Sequence, residues 1–197
     1  MTTVLLVRHA TGDHVGRVLA GRVPGTRLSE EGRRQAERLA ERLAARPVRA
    51  VYASPLERAR ETAEPIAARF GLTLYEAPGL MELDFGRWTG RPIDGFGDDA
   101  DWRHFNTYRS GTRIPGGELL LEAQSRAVAE LLRLCERHPH ETIVAVSHAD
   151  VIRALLGHFA GVPIDLLLRF EIDPASVTEL ELHDWGARIV CVNERGT

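Results

Sequence analysis

Two short apolar segments constrain the fold of this 197-residue chain more than any other feature of its sequence. Residues 3–7 and 142–146 are apolar or β-branched without alternation, which predicts central strands of a parallel sheet, buried on both faces. Further strands are predicted over residues 50–53, 177–182 and 188–192. Because helical patterns separate most of these strands, we expect a three-layer α/β/α sandwich with a mostly parallel central sheet.

Capping residues and prolines mark the helices between the strands. Ser29 is a predicted N-cap, and Ser54 followed by Pro55 predicts the N-cap and first residue of a second helix. Pro65 lies inside that helix and predicts a kink or a break near Glu61, whose carbonyl would lose its donor. Apolar residues at helical spacing predict two later helices, over about 118–138 and through 151–156.

Length and composition indicate one domain. A chain of 197 residues with 44% hydrophobic content can build one well-buried core but not two, so we expect a single domain over 1–197. Residues 87–117, called the excursion below, are rich in glycine, aspartate and aromatic residues, which indicates a departure from the core. Its aromatic side chains could form a lid over a substrate or a local cluster, and the sequence favours neither.

The positive charges of the chain are all arginines, since the sequence contains no lysine. A P-loop nucleotide site needs its lysine, and Schiff-base or pyridoxal chemistry needs an amine, so these functions are excluded. The net charge of −3 and pI of about 6.2 show no excess of positive charge, which binding to nucleic acid or anionic lipid requires. We therefore expect neither nucleic acid nor a membrane as partner. Arginine suits bidentate recognition of phosphate.

No metal-binding or targeting motif is recognisable. Cys135 and Cys191 lie too far apart in sequence for a metal knuckle or a redox pair, so we expect both to be small buried hydrophobic residues. His138 and His140 are close, but no third ligand is apparent, and we expect no metal. The apolar start ends at Arg8, unlike a signal peptide, and no segment is long enough to span a membrane. A cytoplasmic location is the resulting expectation.

Histidine and arginine residues follow the predicted strands at the edge where open α/β sheets bind ligands. His9 follows the first strand and His148 follows the strand over 142–146, so both could enter one crevice if these strands are neighbours. Arg8 stands beside His9. Arg58, in the first turn of the helix after Ser54, would reach the same edge.

Four motifs follow one another along the chain: residues 5–10 (LLVRHA), residues 53–59 (ASPLERA) with 62–63 (TA), Glu82 with 84–88 (DFGRW), and residues 146–149 (VSHA). Over essentially the whole chain, they resemble the motifs of the histidine phosphatase superfamily, the phosphoglycerate mutase-like proteins. An Arg-His pair alone would be weak evidence, but four motifs at strand ends or helix starts are specific. The resemblance implies a phosphoglycerate mutase-like fold.

The resemblance also implies a mechanism and its residues. His9 would attack phosphorus, while Arg8, Arg58 and His148 would surround the phosphoryl oxygens. Glu82 would protonate the leaving alkoxide and then deprotonate the hydrolytic water. The substrate would be a small phosphorylated molecule, and neither a metal nor another cofactor would be required. Two alternatives remain open, namely that the nearby Asp84 replaces Glu82 and that Arg58 only pairs with a glutamate of its own helix.

The sequence departs from the family pattern at several positions. Ala10 and Ala149 stand where the family usually has glycine, so each places an extra methyl group beside a histidine. The asparagine that usually contacts phosphate is replaced by Val15. Thr11, His14 or the backbone near Gly21 could take over that contact.

Two other functions remain as alternatives to a phosphatase. A mutase would move phosphate between hydroxyls of a phosphoglycerate, but mutases of this family typically carry basic residues in the excursion, whereas this one is acidic. Its aspartates are Asp94, Asp98, Asp99 and Asp101. An inactive relative would have lost a catalytic residue, and none is lost here. The oligomeric state stays open, with a homodimer as one option.

Overall fold

A computed structural model, which describes residues 1–196, has a six-stranded sheet at its centre. Its strands are β1 (Thr2–Arg8), β2 (Val48–Ala53), β3 (Leu74–Glu76), β4 (Thr142–Ser147), β5 (Val177–His183) and β6 (Gly186–Glu194). The strands are ordered β3-β2-β4-β1-β5-β6. The first four are mutually parallel, β5 is antiparallel to β1, and β6 is antiparallel to β5. The expected mostly parallel sheet is confirmed.

Helices cover both faces of the sheet and complete a three-layer α/β/α sandwich. They are α1 (Glu30–Leu43), α2 (Glu57–Phe70), α3 (Ala100–Thr107), α4 (Leu120–Arg137) and α5 (Ala149–Ala160). α1 and α2 pack on one face, and α4 and α5 pack on the other. Within residues 1–196, no helix combines the length and apolarity needed to cross a membrane.

The core follows from the alternation of side chains along the central strands. In β1, Leu5 and Val7 face α1 and α2, whereas Val4 and Leu6 face α4 and α5. All four are fully buried. Because both faces of β1 and β4 are covered, their sequences are continuously apolar, which explains the two segments from which the fold was predicted.

The start of α2 differs from the prediction. Ser29 caps α1 as expected, accepting a hydrogen bond from the Gly32 N–H at 3.0 Å. The predicted N-cap Ser54 does not cap α2, which begins at Glu57 after an extended Leu56. The physical reason is that the Ser54 hydroxyl lies 2.8 Å from the Nε2 atom of His148 and is engaged there instead.

The predicted break near Glu61 is also wrong. α2 continues through Pro65 without interruption from Glu57 to Phe70. Proline removes one backbone hydrogen bond. Ala63 and Ile66, on either side of Pro65, are fully buried against the sheet, and this packing offsets the loss.

The excursion is structured and packs on the sandwich. It contains α3, which the sequence did not predict, although Asp99 provides its N-cap by accepting from the Trp102 N–H at 3.1 Å. Trp88, Phe96 and Phe105 are buried together, and Trp102 stacks on Phe96 with ring centroids 4.2 Å apart. This cluster also includes Leu120 and Ala123 of α4 and Ala154 of α5. The aromatic side chains therefore form a local cluster.

The structure differs from the sequence-based expectations at an edge strand and at the two cysteines. The three-residue edge strand β3 was not predicted, because its short segment carries no clear alternation. Cys135 and Cys191, expected to be buried, are each only partly buried, and both are free thiols.

Candidate active site

The register of the central strands brings the two histidines together. Arg8 of β1 lies opposite Ser147 of β4 in the parallel ladder, so the next residues, His9 and His148, leave the sheet side by side. The His9 backbone N–H donates to the Ser147 carbonyl at 2.9 Å. The two imidazole centroids lie 5.2 Å apart. The condition for a shared crevice, that these two strands are neighbours, is met.

His9 has one nitrogen directed at the backbone and one at Arg58. Its Nδ1 lies 2.8 Å from the Ala10 carbonyl oxygen, which can only accept, so Nδ1 carries the proton. Arg58 Nε–H donates to His9 Nε2 over 3.3 Å, so Nε2 presents its lone pair. Burial, then the positive charges of Arg58 and Arg8, hold the pKa of His9 well below its ordinary value. His9 is therefore a neutral imidazole at neutral pH, with an unprotonated Nε2 whose lone pair accepts from Arg58.

His148 is fully buried behind His9 and Arg58. Its Nδ1 accepts from Arg58 Nη2 at 3.2 Å, so Nε2 carries the proton and donates to Ser54 Oγ at 2.8 Å. Burial, then the charge of Arg58, keeps the pKa of His148 well below its ordinary value. His148 contacts Arg58 and does not line the crevice, whereas the family resemblance implied contact with phosphoryl oxygens.

Arg58 and Arg8 supply positive charge with unused donors. Arg58 is 1% exposed, and its Nη2 donates to the Gly21 carbonyl at 2.8 Å. In the part of the chain that the structure describes, Arg58 Nη1 is buried without a hydrogen-bond partner, as is Arg8 Nε. Burial lowers the pKa of both guanidinium groups, but arginine stays protonated at neutral pH. Buried cations with unpartnered N–H groups favour an anionic ligand.

Glu82 is the buried carboxylate of the site. Its side chain is 13% exposed, with Oε2 4.0 Å from His148 Nδ1. Arg22 Nε and Arg126 Nη2 donate to its backbone carbonyl at 2.8 and 3.1 Å, which fixes the position of this loop residue. Burial, and then the negative charge of Asp150, raises the pKa of Glu82 to about 7. Such a group can donate and accept a proton near neutral pH.

Asp84, the competing carboxylate, occupies a different environment. Its side chain is 40% exposed and lies 3.7 Å from Arg22. It also accepts from the Gly86 N–H at 2.9 Å. Because Asp84 does not line the crevice, the geometry favours Glu82 as the proton-transferring residue.

These residues line a crevice of about 300 Å³. Its floor consists of Arg8, His9 and Arg58, with Glu82 and Asp150 at the side. Its outer wall consists of the apolar side chains of Val15, Val18, Leu19, Phe85 and Ile93. A larger hollow of about 600 Å³, beside α1 and the C-terminal end of the described chain, contains none of the predicted site residues.

The outer wall joins the loop after β1 to the excursion. Leu19 N–H donates to the Arg91 carbonyl at 2.9 Å, and Gly90 N–H donates to the Leu19 carbonyl at 2.8 Å. Ile93 N–H donates to the Arg17 carbonyl at 2.9 Å, so the two segments form one backbone-paired unit. The excursion thus contributes Ile93 to the crevice, and its aromatic cluster packs against the wall residues Phe85 and Leu19.

The three candidates for the missing asparagine contact occupy different positions. Thr11 does not line the crevice, because its N–H donates to Gln35 Oε1 and its carbonyl accepts from Ser29. Gly21 lines the crevice, and its backbone carbonyl accepts from Arg58 Nη2 at 2.8 Å. His14 lines the crevice with its ring centroid 6.3 Å from that of His9. Burial, then Arg58, lowers the pKa of His14 to about 4.

The glutamates that could have paired with Arg58 have other partners. Glu57 accepts from the Gly25 N–H at 2.8 Å. Glu61 accepts from the Leu28 N–H and from Arg27, both at 2.8 Å. Arg58 is therefore directed into the site rather than along its own helix.

Sequence reasoning missed Asp150 and Arg153, which also line the crevice. Asp150 stands two residues after His148 in the first turn of α5, and this proximity was a usable signal. Burial alone would raise the pKa of Asp150, but Arg109 and Arg153 outweigh burial and hold it below its ordinary value. Among the described residues, no group of three or more histidine, cysteine or acidic side chains is arranged to hold a metal ion.

Comparison with known proteins identifies the family of the chain. The chain is 30% identical over 188 residues to phosphoserine phosphatase 1 of Hydrogenobacter thermophilus, covering 93% of this chain and 88% of that protein. It is 31% identical over 187 residues to a Yersinia pestis protein named probable phosphoglycerate mutase GpmB, covering 93% and 86%. The solved structure of YhfR from Bacillus stearothermophilus matches with a TM-score of 0.93 at 29% identity, covering 100% and 98%. The family model for the histidine phosphatase superfamily, branch 1, matches residues 4–195. The chain therefore belongs to the histidine phosphatase superfamily.

Proposed function

We propose that this protein is a phosphomonoester phosphatase that carries the phosphoryl group on His9 Nε2 during turnover. The observation that carries the proposal is the floor of the crevice, where a neutral His9 lone pair adjoins buried guanidinium groups with unpartnered N–H donors. A nucleophile beside donors for an anion is what phosphoryl transfer requires.

In the first step, His9 Nε2 attacks phosphorus and the bond between phosphorus and the ester oxygen breaks. Arg58 and Arg8 donate to the phosphoryl oxygens and offset the charge on them. Glu82 gives its proton to the departing oxygen, which leaves as an alcohol. The His9 proton stays on Nδ1, where the Ala10 carbonyl accepts it and stabilises the positive charge of the phosphohistidine.

In the second step, the Glu82 carboxylate removes a proton from a water molecule as its oxygen attacks phosphorus. The bond between phosphorus and Nε2 breaks, the lone pair returns to His9, and phosphate leaves. Glu82 ends the cycle protonated, as it began. A pKa of about 7 suits this alternation, because neither protonation state is strongly disfavoured at neutral pH.

His148 supports the floor through Arg58. Its Nδ1 accepts from Arg58 Nη2, and its Nε2 is anchored by Ser54. These two contacts fix the guanidinium plane, so that Nη1 and Nε are oriented before substrate enters. The Arg58 N–H groups are thus held in place for the phosphoryl oxygens, which in water would be solvated by mobile water molecules.

The outer wall supports a phosphatase over a mutase. A mutase must hold a substrate carboxylate, yet the wall is apolar and His14 is neutral near pH 7 because its pKa is about 4. Arg153 and Arg22 lie near the crevice, but carboxylates already engage them: Asp150 for Arg153, and Glu118 for Arg22. The mutase remains the second candidate, because the chain is about as similar to the GpmB protein as to phosphoserine phosphatase 1.

One experiment separates these functions. The protein is incubated with 3-phosphoglycerate and, separately, with phenyl phosphate, and free phosphate and the 2-isomer are both measured. The proposal predicts phosphate release from phenyl phosphate and phosphate as the main product of any 3-phosphoglycerate turnover. Formation of 2-phosphoglycerate much faster than phosphate would establish the mutase instead, and no turnover across a panel of phosphomonoesters would establish an inactive relative.

A further inference from the structure

Two carboxylates share the crevice in contrasting environments. Glu82 comes from a loop, and Asp150 comes from the first turn of α5, two residues after His148. The side chain of Glu82 is 13% exposed and that of Asp150 is 14% exposed. Their surroundings differ, because cations hold Asp150 directly whereas Glu82 Oε1 accepts from the Leu83 N–H.

Asp150 is anchored by an arginine on each of its oxygens. Arg153 Nη1 donates to Oδ1 at 3.0 Å, and Arg109 Nη1 donates to Oδ2 at 3.3 Å. These contacts keep Asp150 ionised, because protonation would forfeit two charge-assisted hydrogen bonds. A fixed negative charge therefore faces the same small cavity as Glu82.

Arg109 belongs to the excursion and is itself held in place. It is 4% exposed, its Nη2 donates to Asn106 Oδ1 at 2.7 Å, and its guanidinium lies 4.7 Å from the ring centroid of Phe105. Arg109 does not line the crevice. The buried Arg109–Asp150 pair thus links the aromatic cluster of the excursion to the active site.

We propose that Asp150 is a positioning residue whose negative charge keeps the acid proton on Glu82, and that Arg109 sets the strength of that effect from outside the crevice. This inference rests on the proposed function. A nearby negative charge disfavours ionisation of a carboxyl group, whereas a positive charge favours it. The cations near Glu82 are Arg8 from β1, Arg58 from α2, Arg153 from α5, and Arg22 and Arg126 on its backbone carbonyl. The nearby anion is Asp150 from α5, and the imidazoles of His9, His14 and His148 are neutral at neutral pH. Among them Asp150 alone opposes ionisation of Glu82.

The proposal makes an unusual prediction about one salt bridge. Asp150→Asn removes the negative charge and leaves two cations uncompensated, so Glu82 should lose its proton at lower pH. Arg109→Met removes a positive charge while Asp150 stays ionised through Arg153, so Glu82 should hold its proton to higher pH. Breaking the same pair from its two ends should therefore shift the pH profile in opposite directions.

The measurement is kcat/KM against pH with an alkyl phosphate, whose leaving group needs the Glu82 proton. The pH above which kcat/KM falls, called the alkaline limb, should be lower by about one pH unit in Asp150→Asn and higher in Arg109→Met than in the wild type. If loosening of the excursion were the only effect, both variants would lose activity without opposite shifts, and that result would overturn the proposal. Unshifted limbs in both variants would overturn it as well.

Asp165→Asn is the matched control. Asp165 anchors the neighbouring Ser110 of the excursion through its N–H and its hydroxyl, both at 2.7 Å, but it does not line the crevice. Its loss should loosen the same segment and leave the limb where it is in the wild type. If Arg109→Met fails to fold, Arg109→Gln, which keeps hydrogen-bond donors without the charge, takes its place in the same comparison.

The outcomes also distinguish this inference from the proposed function. If the wild type neither released phosphate nor formed phosphohistidine, the proposed function would fail first. If the wild type did both and the Asp150 and Arg109 variants showed no opposed shifts, only the inference would fail.

Discussion

The floor and the outer wall of the crevice are built in different ways. The floor residues Arg8 and His9 continue a central strand, and Arg58 lies on a helix packed against the sheet. Most of the wall instead consists of two loop segments paired with each other through backbone hydrogen bonds, and Phe85 joins it from the buried cluster beneath the excursion. The sheet fixes the floor, while pairing between loops that are distant in sequence shapes most of the wall. This contrast teaches that the proposed chemistry depends on the sheet. The proposed selectivity among substrates depends instead on loop residues of the wall, such as Ile93, which can be replaced without disturbing the sheet.

The largest effect short of removing the nucleophile is expected at Glu82. Glu82→Gln should slow cleavage of an alkyl phosphate by about 100- to 10,000-fold, because general acid catalysis is lost. An aryl phosphate should lose less, since phenolate leaves with little protonation. In the wild type, alkyl phosphate cleavage should decline above about pH 7, where Glu82 becomes ionised. Steady-state rates on matched alkyl and aryl substrates test both expectations.

Asp84→Asn is the control for this prediction. Asp84 lies two residues away but outside the crevice, so its loss should not discriminate between leaving groups. A selective loss in Asp84→Asn, or equal losses on both substrates in Glu82→Gln, would contradict the assignment of Glu82.

A smaller loss of rate is expected from replacing His148, which lies behind the floor of the crevice. His148→Ala should lower kcat by up to about 100- to 1,000-fold, the loss expected if the Arg58 donor were misplaced altogether, because Arg58 Nη2 keeps the Gly21 carbonyl but loses His148 as its second acceptor. Phosphorylation of His9 should continue slowly. Single-turnover kinetics measure the two steps separately, and unchanged kinetics in His148→Ala would show that the floor does not need this support.

On the wall, Ile93→Ala should act on substrate selection alone. We expect about a tenfold loss in kcat/KM for aryl phosphates, because apolar contact with the leaving group is lost. A small alkyl phosphate should be nearly unaffected. Leu121→Ala, at an apolar residue that is similarly exposed but remote from the crevice, is the control. Equal losses on large and small substrates would show that the wall contributes to the chemistry itself.

No effect is expected from removing divalent metal. Cationic side chains supply the charge that phosphoryl transfer needs in the proposed mechanism, so activity on an aryl phosphate should survive exhaustive treatment with a chelator. Loss of activity that a divalent ion restores would contradict this expectation.

The sequence predicted the central layers well because their physical causes are local. Continuous apolar segments identified β1 and β4, and Ser29 marked the start of α1. Prediction from the sequence failed where a side chain contacts a residue distant in sequence instead of its local backbone. The position of Ser54 before Pro55 predicts a helix cap, but its hydroxyl contacts His148, 94 residues away. α3 was missed because only Phe105 of its residues is buried, so its pattern is weak.

In the site as well, residues identified by local sequence were predicted and residues fixed by distant contacts were not. The floor residues were predicted because they follow strands and match family motifs, and the structure brings Arg8, His9, Arg58 and Glu82 into one crevice. Thr11 was misplaced because the turn after His9 directs it toward Gln35. Asp150 was missed although it lies two residues after His148, because Arg109, which anchors it, is distant in sequence and reaches α5 only through the folded excursion.

The central claim is most directly tested by trapping the phosphoryl group. Rapid quench with a labelled phosphomonoester, followed by peptide mapping, should place the label on His9. The label should survive alkali and be lost in acid, because phosphohistidine is a phosphoramidate, and His9→Ala should abolish both labelling and turnover. Label on another residue, or full turnover by His9→Ala, would contradict the account.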